Sequence, residues 1–147
     1  MSLTESMVRI SRDRSALALP RARILIVEDE PLIAMDNQFT LESSGFETIA
    51  VAATAEDAIA LAERERPDLV LMDVQLAGSS SGIDAAVQIF ERCAVRVLFA
   101  TAYVDRRTMD RGEHAHPLGW LNKPFNPHEL VEAVELALQK INKAARL

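Results

Sequence analysis

Asp73 ends the apolar run Leu69-Val70-Leu71-Met72, and Glu28-Asp29 end an earlier one, Ile24-Leu25-Ile26-Val27. Thr101 follows Val95 to Ala100, and Lys123 stands just past Leu118 to Leu121, inside Asn122-Lys123-Pro124-Phe125. Each polar group sits where a buried strand would stop, and ligands of open α/β sheets gather at the carboxyl ends of strands. Three carboxylates brought to one edge repel each other, which raises their pKa values or destabilises the fold unless something offsets the charge. A divalent cation does so. Oxygen ligands in an open, hydrated site suit Mg²⁺, which takes one or two carboxylates, keeps several waters and binds phosphate oxygens; Mn²⁺ is the alternative. A carboxylate so placed can act as a nucleophile in phosphoryl transfer, giving an aspartyl phosphate. Asp73, on the central strand, is the natural nucleophile. Glu28 and Asp29 would position the metal, Lys123 would pair with one phosphoryl oxygen and the Thr101 hydroxyl would donate to another.

Positioning these groups requires strands separated by helices, and the pattern supplies them. After strand 24–27, Pro31 opens a helix whose apolar positions are Leu32, Ile33, Phe39 and Leu41, with Gly45 free to take a left-handed cap conformation. Phe46 to Val51 reads as the second strand. Thr54 with Asp57 three residues on resembles an N-cap, and Ala58, Ile59, Leu61 and Ala62 form one helix face ending before Pro67. Leu69 to Met72 is the third strand, continuous as befits a parallel strand covered on both sides. A Gly/Ser-rich loop, Ala77 to Gly82, leads to a helix over 83–92, and Val95 to Ala100 is the fourth strand. The polar segment Asp105 to Glu113 reads as a short, weakly held helix. Leu118 to Leu121 is the fifth strand, and Asn126 or Pro127 starts a helix carrying Leu130, Val131, Val134, Leu138 and Ile141. The alternation predicts an α/β, (βα)₅ doubly wound fold: a five-stranded parallel sheet in flavodoxin-like order 2-1-3-4-5.

The 147 residues suit one domain, 49% of them hydrophobic and 26% charged. A net charge of −6 argues against direct nucleic-acid binding. The lone Cys93 reads as a small buried hydrophobe, and His114, His116 and His128 show no ligand spacing. No apolar stretch approaches the roughly 20 residues of a membrane span, and residues 1–14 have no apolar core of a secretory signal, so a cytoplasmic protein is expected. Residues 1–20 read as a mobile extension before a domain over 21–147.

Ile24 to Glu30 (ILIVEDE), Leu69 to Val74 (LVLMDV), Phe99 to Ala102 (FATA) and Lys123-Pro124-Phe125 together resemble the bacterial response-regulator receiver family, over residues 23 to about 141. The resemblance implies that Asp29 binds Mg²⁺ directly and Glu28 through water, that Asp73 is phosphorylated, and that the backbone carbonyl of Gln75 completes the metal site. It implies that Thr101 and Lys123 contact the phosphoryl group, and that Trp120 is the switch aromatic. The responding surface would be the fourth helix, fifth strand and fifth helix, through which such domains bind partners or form homodimers. The implied phosphodonor is a sensor histidine kinase or a histidine phosphotransfer protein, and the reader an unidentified downstream protein. Two features depart from the family: Glu28 replaces the commoner Asp, and the loop after Asp73 is rich in glycine and serine where a Met-Pro pair is usual. Gln75 and Tyr103 occupy positions where the family tunes phosphate lifetime. A phosphatase or phosphotransferase that works through its own aspartyl phosphate is the rival enzyme reading, and a receiver that works without phosphorylation the rival binding reading.

Overall fold

The chain is described by a computed structural model over residues 21–76 and 81–145. The expected N-terminal extension and residues 77–80 of the Gly/Ser-rich loop lie outside the described residues. The aliphatic runs form β1 (Arg23–Val27), β2 (Glu47–Ala52), β3 (Leu69–Asp73), β4 (Val97–Thr101) and β5 (Gly119–Asn122). Between and after them run α1 (Pro31–Ser43), α2 (Ala55–Glu65), α3 (Gly82–Cys93), α4 (Arg106–Gly112) and α5 (Pro127–Ala145), with a single 3₁₀ turn at Glu113–Ala115. All strand pairs are parallel, in the order β2-β1-β3-β4-β5. Fold class and strand order therefore match the expectation.

Side chains alternate across each strand, so β1, β3, β4 and β5 feed two cores, while the edge strand β2 contributes to one. Leu25, Val27, Val70, Met72 and Phe99 point to one side, where Ala58 and Ala62 of α2 and Ile83, Ala86 and Ile89 of α3 cover them. Ile24, Ile26, Leu69, Leu71 and Leu98 point to the other, against Leu41 of α1 and Leu130, Val134 and Ala137 of α5. Full burial of each large aliphatic stabilises the fold by roughly 1.5–3 kcal/mol.

Local chemistry fixes the helix starts. The Thr54 hydroxyl accepts from the Asp57 amide at 3.1 Å, as expected. Ser81 accepts from the Asp84 amide at 3.1 Å and Asp105 from the Thr108 amide at 2.7 Å. Asn126 and Glu129 form a reciprocal capping box, each side chain accepting from the other's amide. Gly45 takes the left-handed conformation after α1, at φ 95°.

Helix α1 departs from the sequence expectation. Of the four apolar residues expected to face the core only Leu41 is buried; Ala34 and Asn37 complete the buried stripe, while Leu32 is 77% and Phe39 73% exposed. The spacing 34, 37, 41 is the inward stripe, and the bulkier residues on either side had masked it. Strand ends also move by one or two residues, because ladder pairing and not hydropathy sets them: Val95 is buried yet precedes β4. Cys93 is half-buried, its thiol donating to the Ile89 carbonyl.

Candidate functional site

The parallel register carries the polar strand ends to one edge. Asp73 is the last residue of β3 and pairs with Ala100, one position before Thr101, which in turn pairs with Asn122. The Lys123 amide then donates to the Thr101 carbonyl at 2.9 Å, which holds the lysine just beyond β5. On the other side of β3 the ladder with β1 ends at Val27↔Met72, and the Glu28 amide donates to the Ala52 carbonyl at 2.9 Å. Glu28, Asp73 and Lys123 are thus delivered by three strands to one point, 95 residues apart in sequence at the extremes.

There Lys123 Nζ lies 2.7 Å from Glu28 Oε1 and 3.3 Å from Asp73 Oδ2. Glu28 is 4% and Asp73 7% exposed. Burial, then the neighbouring Glu28 charge, push the Asp73 carboxyl up to about 6, against the pull of Lys123 and of the Gln75 amide. Burial also opposes ionisation of Glu28, but the Lys123 ammonium and the Glu30 amide hydrogen-bonded to it outweigh burial and hold its carboxyl below the usual range. Burial would lower Lys123, but Glu28 and Asp73 overcome that and raise it. The lysine is therefore a fixed cation shared unequally between two buried acids, and Asp73 is the under-neutralised partner. Paired charges at such a depth persist only with this kind of mutual support.

Glu28, Asp29 and Asp73 each offer a carboxylate oxygen, all within 4.8 Å of one another. A hard-oxygen set of that span fits a small divalent ion, whose octahedral ligands at about 2.0–2.1 Å lie up to about 4 Å apart. The surplus negative charge on Asp73 supplies the reason for a cation to enter. Gln75 is exposed and donates its amide to Asp73 Oδ1 at 3.2 Å. The buried Thr101 hydroxyl is engaged locally, lying 3.2 Å from both the amide and the carbonyl of Tyr103. Trp120 is half-buried and stacks on Phe99, ring centres 4.5 Å apart. The three histidines are exposed and stand outside this site.

Two glycines matter that the residue pattern did not single out. A Cβ on Gly82, the first residue of α3, would lie 1.9 Å from the Asp73 carbonyl oxygen, and the Gly82 amide donates to the Val74 carbonyl at 2.8 Å. Only glycine lets α3 start this close behind Asp73. A Cβ on Gly112, at the end of α4, would lie 2.7 Å from the Trp120 indole. In the sequence Gly82 reads as one more member of a Gly/Ser-rich loop.

Residues 24–135 match the family model for the response regulator receiver domain. The chain is 38% identical over 130 residues to the transcriptional regulatory protein PdtaR of Mycobacterium tuberculosis, covering 88% of this chain and 62% of that protein. It is 43% identical over 116 residues to the phyllosphere-induced regulator PhyR of Methylorubrum extorquens, covering 78% and 43%. It therefore matches less than two thirds of either relative. Among solved structures, a CheY-like response regulator receiver domain protein from Methanospirillum hungatei superposes with a TM-score of 0.77 at 27% identity, over 84% of this chain and 98% of that one. With strand order, buried acid–lysine cluster and family match in agreement, the chain belongs to the response regulator receiver domain family.

Proposed function

We propose that this domain is a phosphoacceptor module of a two-component relay, in which Asp73 takes a phosphoryl group from a sensor histidine kinase or a histidine phosphotransfer protein. The observation that carries the reading is the Lys123 ammonium held 3.3 Å from Asp73 Oδ2 while bonded more closely to Glu28. An Asp73 oxygen forms the new bond to phosphorus as the bond from phosphorus to the donor nitrogen breaks. Lys123 can shift from Glu28 toward a phosphoryl oxygen, and Thr101 can exchange its local bonds to Tyr103 for a second oxygen. Bound at Glu28, Asp29, Asp73 and the Gln75 carbonyl, Mg²⁺ would neutralise the acids and the transferring oxygens, with Mn²⁺ as a substitute.

Charge-assisted bonds made only to the phosphorylated form bias a two-state element. Trp120 on β5, lying under Gly112 of α4, makes α4, β5 and α5 the surface that answers, for a downstream protein or a second copy of the domain. The module works in the cytoplasm on this reading, with residues 1–20 an extension to it, and turns over no external substrate. Among the described residues no helix is long and apolar enough to cross a membrane. The test is intact-mass measurement after incubation with Mg²⁺ and a small acyl phosphate. One added phosphoryl group on the wild type, absent from Asp73→Asn and from metal-free samples, is expected; an unmodified wild type would overturn the assignment.

A further inference from the structure

Both oxygens of Glu28 are engaged within the protein. Oε1 lies 2.7 Å from Lys123 Nζ, and Oε2 accepts from the Glu30 amide at 3.2 Å. The backbone behind it is fixed as well, because the Glu28 amide donates to the Ala52 carbonyl at 2.9 Å. Lys123 is tethered from the far side of the sheet, its amide bonded to the Thr101 carbonyl at 2.9 Å. With both main chains held, side-chain length sets the distance from carboxylate to ammonium. An aspartate at position 28 would be shorter by one carbon–carbon bond, about 1.5 Å. Its nearest oxygen would then lie about 4 Å from Nζ, outside hydrogen-bond range. Asp73 Oδ2, at 3.3 Å, would be the carboxylate oxygen left within reach of the flexible four-carbon stem.

We propose, on the phosphoacceptor reading of Asp73, that Glu28 is a positioning residue: its longer side chain holds Lys123 off Asp73, so that Asp73 Oδ2 stays open to the cation and to phosphorus. Lysine and a divalent ion compete for the same carboxylate, and two cations drawn to one acid weaken each other's binding. Asp73 Oδ1 already accepts from the Gln75 amide at 3.2 Å. Oδ2 is therefore the oxygen with capacity left, and it is the one the lysine would take. Burial sharpens the competition, because Glu28 is 4% and Asp73 7% exposed and water is a poor substitute partner at that depth. Held on Glu28, the ammonium still stands close enough to Asp73 to turn to a phosphoryl oxygen once the new bond forms. Glu28 thus acts through Lys123, in addition to any contact it makes with the metal.

The test is the Mg²⁺ affinity of the full chain, followed through the amide signals of Val74 and Gln75, for wild type, Glu28→Asp, Lys123→Met and the double variant. Glu28→Asp keeps the charge, yet should weaken Mg²⁺ binding about fivefold, the low end of ordinary coupling between linked sites. In the Lys123→Met background the same substitution should change the affinity by less than about twofold. Two outcomes overturn the proposal: unchanged or tighter binding in Glu28→Asp, or equal weakening with and without the lysine, which would tie the length of Glu28 to the metal alone. Should Lys123→Met not fold, NMR of the metal-free protein decides. The Lys123 ammonium should show a through-hydrogen-bond coupling to the Glu28 carboxyl carbon in wild type and to the Asp73 carboxyl carbon in Glu28→Asp. A coupling to Asp73 already in wild type, or none to Asp73 in the variant, overturns the proposal. Neither measurement involves phosphoryl transfer, so an unmodified wild type in the mass experiment strikes the phosphoacceptor reading, whereas these outcomes strike the role of Glu28.

Discussion

The carboxyl edge of the sheet and the outer side of α1 invert the usual rule of burial in opposite ways. At the edge, two carboxylates and an amine are taken out of water; on α1, Leu32, Met35 and Phe39 are left in it. Buried charges are held by one another, so each depends on its partners and on the backbone that delivers them. Exposed apolar side chains depend on nothing within the described domain. Perturbation should therefore be large and coupled at the edge and small and independent on α1.

The largest effect expected is from Gly82→Ala. Its Cβ would fall 1.9 Å from a backbone oxygen, which no side-chain rotation relieves, so α3 or the end of β3 must move. We expect a loss of about 3 kcal/mol, read as a lower midpoint of denaturant unfolding; an unchanged midpoint would show that α3 can shift freely. Next is Lys123→Ala, which leaves Glu28 and Asp73 facing each other without a cation. A loss of about 2 kcal/mol is expected, reduced from the fully buried case because the lysine is partly exposed, and added Mg²⁺ should recover much of it. If Mg²⁺ gives no recovery, the acids do not form a cation site.

Asp73→Asn should act with the opposite sign. The native Asp73 carboxyl sits at about 6 against an ordinary 3.8, so the fold favours its protonated form. Its contribution is fully present below about pH 4 and is lost as pH rises through 6, beyond which the ionised group is a net cost. The difference in unfolding free energy between Asp73→Asn and wild type, without metal, should be small at pH 4 and rise to about 2 kcal/mol in favour of the variant at pH 7. A flat difference across that range would mean that Asp73 is not the under-neutralised acid. The lowered Glu28 carboxyl works the other way, which is why the variant and not the wild-type profile alone is diagnostic.

The same contrast explains what could be read from the sequence. Apolar runs ending in Glu28-Asp29, Asp73 and Thr101 are legible because parallel strands need continuous hydrophobicity and functional groups collect at their ends. The contact of Lys123 with Glu28 is not legible, because β3 and β4 lie between β5 and β1 and only the reach of the lysine side chain past Asp73 closes the gap. Gly82 was illegible because its necessity arises from a close approach of α3 to β3, a tertiary fact that no local pattern carries. On α1, hydropathy pointed the wrong way: Leu32 and Phe39 outrank Ala34 and Asn37 in apolar character, yet the smaller pair is buried beside Leu41. The Thr101 hydroxyl, whose place at the edge was expected, turns toward the Tyr103 backbone, a local preference that strand-end position cannot reveal.

The smallest effect is expected on the outer side of α1, at Leu32 and Met35. Polar replacements such as Leu32→Lys and Met35→Gln remove no described core contact, and both residues suit the helix. Stability should change by no more than about 0.5 kcal/mol for each. Leu32 and Met35 are 77% and 63% exposed. If the double variant keeps the unfolding midpoint but accepts phosphate more slowly from a protein donor than from a small acyl phosphate, the exposed apolar side is a recognition surface; equal slowing with both donors would instead tie α1 to the acid edge and dissolve the contrast between the two regions.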